Sequence, residues 1–88
     1  MRKLRRTTQF RRDVRRVARQ GKDLTRLEFV VRLLVVDDPL PSALRDHELS
    51  GNFKGVRDLH IAPDWLLLYE KPAGELVLIR TGSHAELF

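Results

Sequence analysis

The residues most able to carry out chemistry in this sequence are three histidines in its second half. They lie in the segments DHELSG (His47), DLHIAPDW (His60) and TGSHAELF (His84). The unperturbed pKa of histidine is close to neutrality, so one ring can accept a proton while another releases one. Together with a cation, such a pair provides what metal-free RNA cleavage requires. The 2′-hydroxyl must lose a proton as it attacks the phosphate, the departing 5′-oxygen must gain one, and the charge on the phosphate must be stabilised.

Asp64, Trp65 and Arg80 could complete such a site. The first two follow the strand that carries His60, and Arg80 precedes His84 at the end of another strand. Taken singly, each also has an ordinary structural explanation, since an aspartate after a proline suits a turn and a tryptophan that begins an apolar strand more often belongs to the core. The spacing of the histidines matches no compact zinc motif, so we expect neither a metal nor another cofactor.

Length and composition indicate a single domain over residues 1–88. The hydrophobic fraction is 42% and the charged fraction 33%, which is ordinary for a globular protein. The absence of cysteine excludes disulfides and thiolate metal sites. The most apolar run, FVVRLLVV, is far shorter than the roughly 20 residues of a membrane span. Because no secretion leader opens the chain, we expect a cytoplasmic protein without a membrane partner.

Positive charge is concentrated in the first part of the chain, although the formal net charge is only +5. Residues 1–33 hold 12 basic and 3 acidic side chains, a net charge of +9, whereas residues 34–88 hold 5 basic and 9 acidic ones, a net charge of −4. Most of the basic residues are arginines, which bind phosphate in a bidentate manner and stack on bases. The first part therefore predicts a surface for a polyanion, such as nucleic acid, a ribosome or an acidic protein segment.

Two helices are predicted after a basic opening, MRKLRRTT, that can form a short strand. Apolar residues from Phe10 to Ala18 recur at helical spacing, between threonines that can cap a helix and Gly21, a natural left-handed stop. Asp23 can cap a second helix, which carries a broad apolar stripe and ends near Asp37. The short link between them favours an antiparallel helical hairpin.

The second half of the chain predicts β-strands. In GVRDLHIA, alternation places Asp58 and His60 on one face, and Leu59 and Ile61 on the other. The segments WLLLYEK and ELVLIRT are joined by KPAG, a turn typical of a hairpin. Helices followed by strands indicate an α+β fold, in which the helical hairpin packs on an antiparallel sheet.

The order of these motifs resembles the YafQ-like branch of the RelE/ParE toxin superfamily. The run DHELSGNFKGVRDLHIAPDWLLLYE, followed by RTGSHAELF, carries the resemblance, which extends over essentially the whole chain. It implies a RelE-like microbial ribonuclease fold and the toxin of a bacterial type II toxin–antitoxin system. Such a toxin is a ribosome-dependent endoribonuclease, an mRNA interferase, which cleaves messenger RNA in the ribosomal A site and thereby inhibits translation.

The resemblance also implies partners and catalytic residues. A cognate antitoxin neutralises the toxin, and operator DNA is bound only by the toxin–antitoxin complex. Five residues match the family's catalytic set: His47, His60, Asp64, His84 and Phe88. We expect His84 to be the general acid, because it stands on the short C-terminal segment where a leaving group could be met. We expect His60 to be the base, with Asp64 orienting or charging its ring.

The expected substrate-binding residues are of two kinds. Four side chains would hold and neutralise the phosphate: His47 and Arg80 and, as weaker candidates, Arg57 and Lys54. Phe88 and Trp65 would position a splayed base or support the site.

Two other functions stay open at this point. A ParE-like toxin of the same fold inhibits DNA gyrase by binding it, although a binding-only inhibitor has no use for clustered acid–base residues. A non-catalytic nucleic-acid-binding module would bind nucleic acid in a salt-sensitive manner without forming products. Cleavage separates both from the ribonuclease, and a requirement for ribosomes separates the toxin from an ordinary ribonuclease.

Overall fold

The computed structural model describes residues 1–88 and contains one five-stranded sheet with two long helices and one short helix. The strands are β1 (Lys3–Arg6), β2 (His47–Glu48), β3 (Arg57–Ala62), β4 (Trp65–Glu70) and β5 (Glu75–Gly82). The helices are α1 (Thr8–Arg19), α2 (Leu24–Val35) and α3 (His84–Leu87). Two 3-10 turns, Ser42–Leu44 and Gly51–Phe53, flank β2. The predicted α+β class is confirmed.

The predicted helix boundaries are confirmed by their caps. Thr7 Oγ1 accepts the backbone N–H of Phe10 at 2.9 Å, and Asp23 Oδ1 accepts that of Thr25 at 3.0 Å. Gly21 follows α1 with φ +85°, and Asp37 follows α2 with φ 56°, so both helices end in a left-handed residue. Neither helix, nor α3, combines the length and the hydrophobicity that a membrane span requires.

The strand order is β1-β5-β4-β3-β2, and all neighbours are antiparallel except one pair. The opening segment forms the short strand that the sequence allows, but β1 runs parallel to β5, with Lys3 opposite Glu75 and Arg6 opposite Leu78. The expected antiparallel pairing is therefore confirmed for the other neighbours, and this one pair is parallel. A parallel pairing needs a long crossover, and here almost the entire chain lies between the two strands.

The two faces of the sheet differ in what they carry. Leu59 and Ile61 of β3, and the neighbouring apolar side chains of β4 and β5, pack with buried residues of α1 and α2 into the hydrophobic core. Cross-strand pairing aligns Asp58 with Leu68, and Leu68 with Arg80, on the opposite face. We refer to this second face, which also carries His60, as the open face.

The helices do not fill all the space on their side of the sheet. An apolar groove of about 450 Å³ runs between α1, α2 and β1, with Phe10, Val14, Leu27 and Val31 in its walls and Arg32 at its rim. The groove lies on the helix side of the sheet, so it is separate from the polar side chains of the open face.

Candidate active site

The three histidines reach one region of the molecule from three different elements. His60 lies on β3, His84 is the first residue of α3, and His47 lies on β2 directly opposite Asp58 of β3. The rings of His60 and His84 are 5.6 Å apart between centroids, with an angle of 47° between their planes. The predicted convergence of the histidines thus holds for this pair by direct ring proximity.

His84 is held by Asp64. Asp64 Oδ1 accepts both the backbone N–H of His84 at 3.0 Å and its ring Nδ1–H at 2.7 Å. The hydrogen bond from the backbone of His84 has the larger effect and that from its ring the smaller, and both lower the pKa of Asp64 below its ordinary value. Because Nδ1 donates to the carboxylate, Nε2 of His84 is left to act on a substrate.

The expected partnership between Asp64 and His60 is therefore wrong. The register of the sheet explains the actual pairing: Leu66 lies opposite Gly82, so continuing the two antiparallel strands by two residues brings Asp64 to His84. On β3, an irregularity between His60 and Ala62 shifts the strand before it reaches the turn that carries Asp64. His60 Nδ1 is buried and has no hydrogen-bond partner.

His47 and Asp58 form the second part of the site. The Nδ1–H of His47 donates to the backbone oxygen of Arg45 at 2.8 Å, and its Nε2 lies 3.7 Å from Asp58 Oδ2. Arg45 itself has φ 51°, a left-handed conformation that is uncommon outside glycine and asparagine. The backbone thus sets which nitrogen of His47 is protonated and directs the other one toward the carboxyl group.

Asp58 is a residue that the sequence interpretation left out of the site. It is 5% exposed, and its Oδ1 has no hydrogen-bond partner. Burial raises the pKa of Asp58, and the nearby positive charges of His47, His60 and His84, when present, oppose that rise. The strand alternation that placed Asp58 on the same face as His60 was the available signal. A carboxyl group that is buried is usually paired or part of a functional site.

Register places Arg80 on the open face, opposite Leu68, and its side chain is held by Asp13 of α1. Its Nε and Nη2 donate to the two carboxylate oxygens of Asp13 at 2.9 and 3.1 Å. Its Nη1 donates to no protein atom, so one end of the guanidinium stays free for a phosphate. Asp13, fully buried on α1, was not identified from the sequence, although a charge between Phe10 and Val17 on the inner side of a helix was the signal.

The same α1 residues hold α3 in place. Arg16 donates to Asp13 Oδ1 and to the backbone oxygen of Thr81, both at 2.7 Å, and its Nε lies 3.1 Å from Glu86 Oε2. Glu86 in turn accepts the backbone N–H of Ser83, which completes a capping box at the start of α3. A β-carbon at position 82 would collide with the ends of the Arg16 and Glu86 side chains, so any residue other than glycine there would have to displace both.

Arg57, a weaker candidate for the phosphate, does not face the histidines. It lies on the helix side of the sheet opposite Tyr69 and donates to Asp46 at 2.8 and 3.4 Å. The Tyr69 hydroxyl donates to the same carboxylate, and burial raises the pKa of that phenol. The structure thus places Arg57 away from the histidines, in a cluster where its charge is paired with Asp46. Lys54, the other weak candidate, is exposed after the turn Gly51–Phe53.

The two aromatic candidates have different environments. Trp65 is only 3% exposed, and its Nε1–H donates to Thr81 Oγ1 at 2.8 Å, so it cannot stack on a base and instead supports the sheet beneath the site. Phe88 is 57% exposed at the end of α3, where its ring meets that of Phe53 edge-on at 5.5 Å. Of the two, only Phe88 is accessible to a nucleotide.

A cleft of about 540 Å³ opens beside the histidine rings. His60 and His84 line one side, and the turn Ser42–Leu44 with Arg45 lines another. Arg26 of α2 completes the wall, so two cations and two histidines face the same space. A volume of this size is in the range of sites for nucleotide-sized ligands.

Comparison with known proteins identifies the family and its relatives. Residues 2–88 match the family model described as the bacterial toxin of type II toxin–antitoxin system, YafQ. The mRNA interferase toxin YafQ of Escherichia coli is 41% identical over 81 residues, which cover 91% of this chain and 88% of that protein.

Solved structures show the same fold. YafQ in the E. coli DinJ–YafQ complex superposes with a TM-score of 0.94 at 38% identity, covering 100% of this chain and 99% of that one. A copper-bound mutant toxin from Helicobacter pylori superposes with a TM-score of 0.96 at 39% identity, covering both chains completely. The α+β architecture, with helices packed on a mostly antiparallel sheet, is therefore that of YafQ structures.

Proposed function

This chain belongs to the YafQ family of bacterial type II toxins, and we propose that it is a ribosome-dependent endoribonuclease. It cleaves messenger RNA in the ribosomal A site and thereby inhibits translation in the cytoplasm. The YafQ relative from E. coli is named an mRNA interferase, which supports the substrate class. The observation that carries the proposal is the placement of the Asp64-bound His84 ring 5.6 Å from the ring of His60, at the mouth of a cleft lined by arginines.

The reaction is a transfer of the phosphate from one hydroxyl of the substrate to another. A base takes the proton from the 2′-hydroxyl, the 2′-oxygen forms a bond to phosphorus, and the bond from phosphorus to the 5′-oxygen breaks. The departing 5′-oxygen receives a proton from an acid. The products are a 2′,3′-cyclic phosphate and a free 5′-hydroxyl, and no atom is supplied by a metal or another cofactor.

His60 and His84 are suited to the two proton transfers. We assign His84 as the general acid, because Asp64 accepts its Nδ1–H and leaves Nε2 directed away from the carboxylate. We assign His60 as the base, because its ring lies beside the ring of His84 and its Nδ1 forms no hydrogen bond with a carboxylate. As the base takes up a proton, the buried Asp58 stabilises the positive charge that forms.

The remaining site residues contact the phosphate and a nucleobase of the messenger. His47, held by the Arg45 carbonyl and Asp58, and the free Nη1 of Arg80 stabilise the charge on the phosphate. Phe88, exposed beside Phe53, offers an aromatic face to a base that is splayed out of the messenger.

The basic surface of α1 is suited to ribosomal RNA. Four arginines of this helix are exposed and form no ion pair: Arg11, Arg12, Arg15 and Arg19. Contacts between arginines and phosphates give an affinity that falls as the salt concentration rises. The related YafQ forms a complex with DinJ, and we propose that a cognate antitoxin neutralises this chain likewise and that operator DNA is bound only by that complex.

The test is cleavage of a messenger on purified bacterial ribosomes by wild-type protein and the His84→Ala variant. The experiment includes a chelator, since a similar toxin from H. pylori has been seen with bound copper, and free RNA as a second substrate. We expect cuts that resist the chelator, require the ribosome and fall by about a hundredfold or more in the variant.

Three outcomes would contradict parts of the proposal. Equal cleavage by the His84→Ala variant would remove the assigned acid. Cuts in free RNA at the same rate would exclude ribosome dependence. If folded wild-type protein makes no cuts, the chain is a binding-only inhibitor or a nucleic-acid-binding module, and DNA gyrase is the next target to test.

A further inference from the structure

The cations expected to bind the substrate phosphate are largely engaged by carboxylates. Arg57 is neutralised by Asp46, and Arg80 gives two of its three nitrogens to Asp13. By contrast, no ion pair of the protein involves Arg26 or Arg45, which both line the cleft beside the histidines. These two arginines are the free positive charges of the cleft.

The shape of the cleft follows from the incomplete pairing of β3. Strand β2 pairs only with Arg57 and Asp58, so the segment from His60 to Ala62 has no strand on its outer side. The turn Ser42–Leu44 stands opposite this free edge and leaves a space of about 540 Å³. Leu44 and Pro63 contribute apolar surface, and Arg26 and Arg45 contribute charge.

An RNA strand whose scissile phosphate lies between His60 and His84 must continue on both sides of that phosphate. The cleft contains both rings and extends from them to the two arginines, so it is a path that a neighbouring nucleotide can follow. Arginine binds phosphate by paired hydrogen bonds, and the apolar wall suits the face of a base.

We propose that this cleft is a nucleotide subsite, in which Arg26 and Arg45 bind the phosphate next to the scissile one while the base packs against Leu44 and Pro63. The proposal rests on the ribonuclease function proposed above and names the part of the substrate that the site recognises outside the reacting phosphate. It also makes the turn Ser42–Leu44 a determinant of which nucleotide is accepted.

Three charge-removing variants test the subsite: Arg26→Gln, Arg45→Gln and, as the matched control, Arg32→Gln. Arg32 is on the same helix as Arg26, exposed and free of ion pairs, but it lies at the rim of the apolar groove on the other side of α2. Glutamine keeps the β-carbon at Arg45, so its left-handed backbone is no more strained in the variant. Thermal unfolding of each variant shows whether it is folded.

Messenger cleavage on ribosomes is measured as a function of substrate and salt concentration. We expect each cleft variant to lower kcat/KM by about tenfold, mainly through KM. Each should also reduce the slope of log(kcat/KM) against log(salt) by about 0.7, the loss of one phosphate contact on a single strand. The Arg32→Gln variant should stay within about twofold of wild type.

The subsite is overturned if the cleft variants behave like Arg32→Gln, or if they lose affinity for an acidic antitoxin segment while cleavage is unchanged. If wild-type protein cleaves no messenger, the ribonuclease function fails independently. Titration with a short single-stranded oligoribonucleotide then decides the subsite. Binding weakened by Arg26→Gln and Arg45→Gln but not by Arg32→Gln supports a nucleotide subsite, and equal or absent binding in all proteins excludes it.

Discussion

Two buried aspartates on opposite sides of the sheet have opposite environments. Asp13, fully buried on α1, accepts hydrogen bonds from Arg16, Arg80 and the backbone of Thr81. Burial raises its pKa, but these partners outweigh the burial and leave the pKa below the ordinary value. Asp58, nearly as buried on β3, has one oxygen without a partner and a raised pKa.

The difference separates a structural carboxylate from one suited to chemistry within one small domain. A carboxylate with every oxygen paired to arginines holds α1, β5 and α3 together and is not available for proton transfer. A carboxyl group kept short of partners and surrounded by histidines is costly for the fold and useful for a reaction. We therefore expect substitution of Asp13 to lower the stability of the fold, and substitution of Asp58 to lower cleavage while raising stability.

The largest effect is expected from Asp13→Ala. Removing this carboxylate leaves Arg16 and Arg80 without their shared partner in a partly buried place, which should lower the free energy of unfolding by about 3–5 kcal/mol. Urea unfolding followed by circular dichroism measures it. Asp38→Ala, at an exposed position without an ion pair, is the control and should change stability by less than about 0.5 kcal/mol. Similar losses of unfolding free energy in the two variants would show that Asp13 stabilises the fold no more than an exposed aspartate does.

The second effect is expected from Asp58→Asn. Cleavage should fall by about a hundredfold or more, because the charge that stabilises the protonated histidines is lost. Stability should instead rise by on the order of 1 kcal/mol at about pH 8, because asparagine removes a buried charge that has one oxygen without a hydrogen-bond partner. Messenger cleavage and urea unfolding are measured on the same preparation. A variant that is less stable, or fully active, would place Asp58 with Asp13 as a structural residue.

The smallest expected effect is on the dependence of stability on pH. Because the pKa of Asp13 is lowered, its stabilising contribution is present above the unfolded value of about 3.9 and is lost as the pH falls through the folded value. The contribution of Asp58 to stability has the opposite sign. Because its folded pKa is raised, its ionised form destabilises the fold, and this destabilisation disappears as the pH falls toward the pKa of the unfolded chain.

Urea unfolding at a series of pH values tests this contrast. The stability advantage of Asp58→Asn over wild type should shrink between about pH 8 and pH 4, while wild type loses stability below that range. An advantage that does not change with pH would mean that Asp58 titrates like an exposed carboxyl group.

Much of the fold follows from local chemistry in the sequence. Thr7 and Asp23 cap the helices as expected, and the alternation in β3 assigns Asp58 and His60 to one face. These features depend on neighbours within a few residues, which a sequence displays directly. The parallel pairing of β1 with β5 does not, since it joins segments about 70 residues apart.

The site was less predictable because it depends on register and on long-range pairing. The residue types were identified, but the partner of Asp64 is decided by the alignment of β4 with β5 and by the irregularity in β3. Likewise, Arg57 and Arg80 read as free cations until the fold brings Asp46 and Asp13 to them. Asp13 lies 67 residues before Arg80, and no local pattern connects the two.

The most direct test of the acid–base site is the chemistry of the new ends in a messenger cleaved on ribosomes. If two histidines transfer protons during attack by the 2′-hydroxyl, the upstream fragment ends in a 2′,3′-cyclic phosphate or its hydrolysis product, the downstream fragment begins with a 5′-hydroxyl, and a 2′-deoxy substitution at the cleaved position blocks the cut. A 5′-phosphate on the downstream fragment, or cleavage that tolerates the 2′-deoxy substitution, would show that water is the nucleophile and would contradict the roles assigned to His60 and His84.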